Sequence, residues 1–104
     1  MNKGDIVLIK FPFTDFSEAK SRPVIVLGVN RDDLLVCFIG SSSNDMTETD
    51  LLLKKDQSNG LKVDSIAKCF KLYTLHASLI ERKIGMVNET IYSLIVKKIV
   101  NLIE

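Results

Sequence analysis

The 104-residue sequence contains no tryptophan, a single histidine and only two tyrosines. Grooves that bind proline-rich peptides are lined with exposed aromatic side chains, and this chain offers little material for one. An SH3-type protein-interaction domain is therefore the least favoured of the functions considered. His76 is the only histidine, so an acid–base mechanism that needs two histidines is excluded within one chain.

Cysteine is also scarce, because the sequence contains only Cys37 and Cys69. They do not form a Cys-x-x-Cys pair, so neither a zinc site nor a thioredoxin-like site is indicated. Each lies in an apolar run, in LLVCFI and IAKCF. We therefore predict buried thiols rather than a disulfide.

The N-terminal apolar run has only four residues, in MNKGDIVLIK. This is too short for a signal peptide or a membrane span, so we expect a cytoplasmic protein without membrane contact. The net charge is +1, from 14 basic and 13 acidic residues. Binding to nucleic acid would require the basic residues to gather on one face.

Short apolar runs separated by turn residues predict a mainly β protein. Pro23 is expected to open the second strand, because a strand start tolerates its missing N–H. A short helix is predicted at Ala77 to Lys83, with Gly85 at its exit. The predicted strands are Asp5 to Lys10, Val24 to Leu27, Leu34 to Ile39, Leu51 to Leu53, Ser65 to Cys69 and Lys71 to Leu75.

A helix is predicted at the C-terminus, where apolar residues recur at steps of three and four. Asn88 is positioned to cap its start, and Val87 and Tyr92 to form a hydrophobic staple. The apolar positions are Ile91, Leu94, Ile95, Ile99, Leu102 and Ile103. Strands joined by turns and followed by one helix favour a small barrel or sandwich, with residues 1–104 as a single domain.

Five short motifs in this order resemble the MazF/PemK toxin family, and the terminal helix matches its last element. The motifs are Gly4-Asp5-Ile6-Val7, Phe11-Pro12-Phe13, Arg22 to Leu27, Gly60-Leu61 with Asp64-Ser65, and Thr74-Leu75 with Leu79-Ile80 and Ile84-Gly85. The resemblance implies an SH3-like β-barrel, usually a homodimer. It also implies a metal-independent ribonuclease without a cofactor that cuts single-stranded messenger RNA, and a cognate antitoxin whose disordered tail occupies the RNA groove.

Arg22 is the first candidate catalytic residue. It follows a polar loop and precedes a strand that begins with proline, so its guanidinium can be held at a loop–sheet junction. A planar fork of donors matches a phosphate bidentately. The resemblance implies that Arg22 acts on the scissile phosphate; an isolated arginine would instead be taken for a solvated surface residue.

The second catalytic position departs from the family, which commonly has a threonine where this sequence has Gly40. Two replacements are open: a backbone N–H of Gly40 or Ser41, or the Ser41 hydroxyl. An ordinary Gly/Ser turn with weakened catalysis is the alternative. The function is therefore predicted to be an RNA endonuclease toxin, or else a non-catalytic module that binds RNA or a partner on the same scaffold.

Further residues are candidates for RNA contact. Phe16 can stack on unpaired bases, and lysines can contact phosphates, although such lysines more often form a solvated face. The candidates are Lys20, Phe16, Ser42, Lys54, Lys68 and Lys71.

No metal site is predicted. The acidic residues Asp32, Asp33, Asp45, Glu48 and Asp50 have no spacing that fixes a coordination geometry, so they are interpreted as solvated loop residues. For His76 we expect a capping or surface role rather than a catalytic one.

Overall fold

The computed structural model describes residues 1–11, 20–41 and 46–104. Within them, six antiparallel strands form one sheet in the order β4-β5-β3-β2-β1-β6, followed by one α-helix. The elements are β1 (Asp5–Phe11), β2 (Lys20–Asn30), β3 (Asp33–Gly40), β4 (Asp50–Leu53), β5 (Ser65–His76), a 3-10 turn (Ala77–Leu79), β6 (Ile80–Met86) and α1 (Glu89–Ile103). The predicted mainly β class with a C-terminal helix is confirmed.

The predicted helix at Ala77 to Lys83 is wrong beyond its first turn, since Ile80 onward is strand β6. The outer edge of β1 needs hydrogen-bonding partners, and β6 supplies them through pairs such as Val7 with Lys83 and Leu8 with Arg82. Ile80 also packs against a buried apolar cluster of the sheet. Long-range pairing therefore overrides the local helical pattern. His76 caps the 3-10 turn as expected, accepting the Ser78 N–H at 3.1 Å.

Pro23 does not open its strand, because β2 begins at Lys20. Pro23 pairs with Leu8 of β1, whereas the ladder between β2 and β3 begins only at Val24 opposite Phe38. The missing N–H therefore removes no ladder bond on the β3 side.

Apolar side chains alternate between the two faces of the sheet and build two buried clusters. The first includes Ile6, Ile25 and Cys37 and is covered by α1 through Ile95, which is fully buried. The second consists of Val7, Ile9, Val24, Val26, Leu34, Val36 and Leu75. Register shifts interrupt the ladders at several places, including between Val26 and Gly28, and such bulges bend strands.

The edge strands β4 and β6 are not paired with each other in the described sheet, which is therefore open rather than a closed barrel. The turn that follows β4 bridges this gap. The Met86 N–H donates to the Ser58 carbonyl at 2.9 Å, and Gly60 lies against the Ile84 backbone with φ of +69°. Gly85 lies against the Asn59 backbone, with no room for a Cβ on either glycine.

Helix α1 is fixed to the sheet at its N-terminus. The Asn88 side chain accepts the Ile91 N–H at 2.8 Å, which confirms the predicted cap. The Tyr92 hydroxyl donates to the Leu27 carbonyl at 2.6 Å, and burial raises the pKa of Tyr92. Val87 and Tyr92 belong to the same apolar cluster.

Cys37 and Cys69 are buried free thiols, as predicted. They lie on the neighbouring strands β3 and β5, and the Cys37 thiol also donates to the Lys68 carbonyl at 3.3 Å. The hydrogen bond with Cys69 and burial raise the pKa of Cys37, whereas the same hydrogen bond lowers the pKa of Cys69. Both cysteines therefore belong to the apolar core as free thiols.

We expect Gly85→Ala to destabilise the fold by about 1–3 kcal/mol, because the added Cβ overlaps the Asn59 backbone. Gly28→Ala is the matched control, since nothing lies within 4 Å of its added Cβ; its effect should stay within about 0.5 kcal/mol. Urea unfolding followed by circular dichroism measures both. Equal stability of the two variants would contradict the close approach of the turn to β6.

Candidate functional site

Arg22 lies on β2 opposite Ile9 of β1. On its other side, β2 and β3 are paired up to Val24 and Phe38. Continuing this register by two residues places Arg22 opposite Gly40. Directly opposed residues of antiparallel strands point to the same face of the sheet, so the arginine side chain projects from the face on which Gly40 leaves a space.

A cavity of about 500 Å³ opens at this end of the sheet and brings Arg22, Gly40 and Ser41 together. Its polar lining further includes Ser21, Lys62 and Arg82, and apolar side chains of several strands form the remaining walls. Arg22 and Ser41 are exposed, so their donors are accessible to a ligand. The three predicted catalytic residues thus share one cavity that presents cations, a hydroxyl and a glycine backbone.

Arg82 is a cavity residue that the sequence interpretation missed. It lies on β6 opposite Leu8, and its neighbour Glu81 accepts the Ser21 hydroxyl at 2.6 Å, which ties β6 to β2 across the end of β1. Arg82 lies within the helix predicted at Ala77 to Lys83, and a position in that helix does not indicate that the residue lies near Arg22. The strand conformation of β6 is what brings it to the cavity. As a residue of β6 it lines the same cavity as Arg22.

Gly40 is covered from the side of β5 by the stem of Lys68. A Cβ added at position 40 would lie 3.1 Å from Lys68 Cε. This is tighter than ordinary van der Waals contact, so a larger residue at position 40 would require the lysine stem to move. A side chain at position 40 would therefore meet one particular neighbour, Lys68.

The Lys68 ammonium lies 3.6 Å from Asp50 Oδ2, and the side chains are 21% and 4% exposed. Asp50 Oδ2 also accepts the Thr47 N–H at 3.0 Å. The interpretation of Asp50 as a solvated loop residue is wrong, because β4 places it against β5 directly opposite Lys68. A buried carboxylate needs such partners to remain charged.

The other predicted RNA contacts are not gathered at this cavity. Lys54 lines a different cavity, next to Asn88 and Ile91. Lys68 and Lys71 of β5 are not among the residues lining the Arg22 cavity; Lys68 adjoins it only through its contact with Gly40, and Lys71 is exposed. Phe16, Ser42 and the side chain of Lys20 lie outside the described residues.

Among residues 1–11, 20–41 and 46–104, no group of three or more His, Cys, Asp or Glu side chains is arranged to hold a metal ion. No helix in the described part of the chain is long and apolar enough to cross a membrane.

The family model of the PemK-like, MazF-like toxins of type II toxin–antitoxin systems matches residues 2–103. The chain belongs to this family. Comparison with the sequences of curated proteins gives no significant match. Family membership therefore rests on the family model, and it agrees with the resemblance found in the sequence motifs.

Solved structures of the family share the fold. The Mycobacterium tuberculosis toxin MazF-mt6 superimposes with a TM-score of 0.75 at 19% identity, covering 95% of each chain. MazF from Deinococcus radiodurans gives a TM-score of 0.79 at 14% identity, covering 99% of this chain and 96% of that one. A mycobacterial endoribonuclease in complex with its cognate antitoxin gives 0.78 at 10% identity, covering 99% and 94%. At sequence identities of 10–19%, these similarities show a shared fold only.

We expect Asp50→Ala to lower the free energy of unfolding by about 1–3 kcal/mol, because it leaves the Thr47 N–H and the partly buried Lys68 without their acceptor. Asp50→Asn should cost less, since its amide oxygen can still accept the Thr47 N–H. Asp33→Ala is the control: this residue is exposed on β3. Chemical denaturation measures all three, and an Asp50→Ala protein as stable as the control would rule out the interaction.

Proposed function

We propose that this chain is a metal-independent endoribonuclease toxin that cleaves single-stranded messenger RNA. Cleavage proceeds by attack of the neighbouring 2′-OH on the scissile phosphate. The observation that supports this proposal is the meeting of Arg22, Gly40 and Ser41 at one cavity. Arg22 is distant in sequence from the adjacent residues Gly40 and Ser41, and a phosphate-cleaving site needs several convergent donors.

Each residue has a role that its chemistry allows. The Arg22 guanidinium binds two phosphate oxygens and stabilises the charge that develops on the phosphorane. The Ser41 hydroxyl or a backbone N–H of the glycine turn supplies a further donor to the same phosphate. Arg82 adds a second arginine to the cavity and is suited to an adjacent phosphate of the RNA.

The proposed partners follow from family membership. One of the structural relatives is an endoribonuclease held by its cognate antitoxin, and we infer that this chain is neutralised by an antitoxin of its own. A homodimer and a cytoplasmic location are part of the same proposal. Size-exclusion chromatography with light scattering checks the oligomeric state.

Purified protein should cleave a single-stranded RNA in the presence of EDTA and leave a 2′,3′-cyclic phosphate. Arg22→Ala should abolish cleavage, because the phosphate loses its bidentate cation and removal of one transition-state donor typically costs about 100-fold or more. The measurement is gel electrophoresis of end-labelled RNA, with mass spectrometry of the products.

Arg31→Asn is the matched control for Arg22→Ala. Arg31 is an exposed arginine just beyond the other end of β2, and its φ of 58° is one that asparagine tolerates. This control should cleave RNA as the unmodified protein does. If the Arg22 variant is equally active, its assignment as the phosphate-binding group is wrong.

A second candidate function is a non-catalytic module that binds RNA or a partner protein at the same cavity. Glycine at position 40, where the family commonly has threonine, favours it. The two functions are distinguished by turnover: robust cleavage by the unmodified protein excludes the binding module, whereas RNA binding without cleavage supports it.

A further inference from the structure

We propose that the Lys68 ammonium takes the place of the missing side-chain hydroxyl at position 40 and donates to the scissile phosphate above Gly40. Lys68 would then be a second catalytic cation, opposite Arg22. This inference rests on the proposed ribonuclease function and specifies how the site works without the threonine.

The first support is the position of the lysine stem. Lys68 pairs with Phe38 of β3, two residues before Gly40, and therefore projects from the same face as Phe38. From there its stem leans over Gly40, with Cε at 3.1 Å from the site of an added Cβ. The ammonium, one bond further, lies beside the space that a threonine side chain would fill.

The second support is the position of Arg22 on the other side of Gly40. The register puts Gly40 between the strand that carries Arg22 and the strand that carries Lys68. Adjacent strands are about 4.8 Å apart and Lys68 is displaced along β5 by two residues, about 7 Å, so the two cationic side chains arise about 12 Å apart on one face. Both side chains are long enough to reach a phosphate lying over the glycine.

The third support is the ion pair that positions the ammonium beside Gly40. Lys68 is 3.6 Å from Asp50, and its side chain is 21% exposed. Asp50 keeps the Lys68 ammonium beside Gly40 when no RNA is bound. The same Asp50 Oδ2 also accepts the Thr47 N–H. A phosphate bound between Arg22 and Lys68 would lie closer to the ammonium than the Asp50 carboxylate does. The phosphorane formed during cleavage carries two negative charges and would attract the ammonium more strongly. Lys68 acts by hydrogen bonding and charge, and no bond to it forms.

The first test compares cleavage with binding. Lys68→Met should lower the single-turnover cleavage rate about 100-fold, while affinity for an uncleavable RNA with a 2′-deoxy scissile nucleotide changes less than about threefold. Lys97→Met, at an exposed position on α1, is the control and should cleave normally. Because Lys68→Met leaves Asp50 unpaired, the variant Lys68→Met/Asp50→Asn is measured alongside, and each variant's folding is checked by circular dichroism.

The second test exchanges the two groups. Gly40→Thr alone should lower cleavage, because its side chain displaces Lys68. Gly40→Thr/Lys68→Ala should cleave at least about 10-fold faster than Lys68→Ala, since the shortened residue 68 leaves room for the hydroxyl donor. A purely structural role for Lys68 predicts no such recovery.

The outcomes separate the two proposals. If unmodified protein does not cleave RNA, the ribonuclease function fails, and this inference fails with it. If cleavage requires Arg22 but a folded Lys68→Met/Asp50→Asn protein cleaves normally, only the role of Lys68 is overturned. A Gly40→Thr/Lys68→Ala protein no faster than Lys68→Ala also overturns the exchange of a hydroxyl for an ammonium.

Discussion

The contact between Gly85 and the Asn59–Gly60 turn holds together the two ends of an open sheet. In the sheet itself β6 is paired only with β1, and the hydrogen bond from the Met86 N–H to the Ser58 carbonyl joins its end to the turn after β4. The same contact gives the candidate site one of its walls, because the residues just beyond the turn and those of β6 line the Arg22 cavity. The site therefore depends on two backbones whose close approach leaves no room for a Cβ at Gly60 or Gly85.

The sequence predicts the elements that satisfy their own backbone hydrogen bonds or alternate strictly in polarity. Helix α1 was placed with its cap because the 3.6-residue period and Asn88 are local signals. Strand β6 was missed because nothing within Ala77 to Lys83 distinguishes a short helix from an edge strand. What decides its conformation is the unpaired side of β1, which is distant in sequence.

The same division applies to the site. The candidate residues Arg22, Gly40 and Ser41 were found from motif order, and the fold brings them to one cavity. Arg82 and the pairing of Asp50 with Lys68 were not found, because both depend on which strands become neighbours. Acidic residues in a polar stretch are normally solvated, and only the β4–β5 ladder shows that Asp50 is not.

The buried thiol pair between β3 and β5 has a practical consequence. Since Cys37 and Cys69 are buried in the apolar cluster that α1 covers, a thiol reagent can modify them only after this cluster opens. The rate of labelling therefore reports how often this apolar cluster opens, in the same way as amide hydrogen exchange. The natural sequence thus carries its own reporter of core opening, next to the lysine and glycine of the candidate site and without any engineered label.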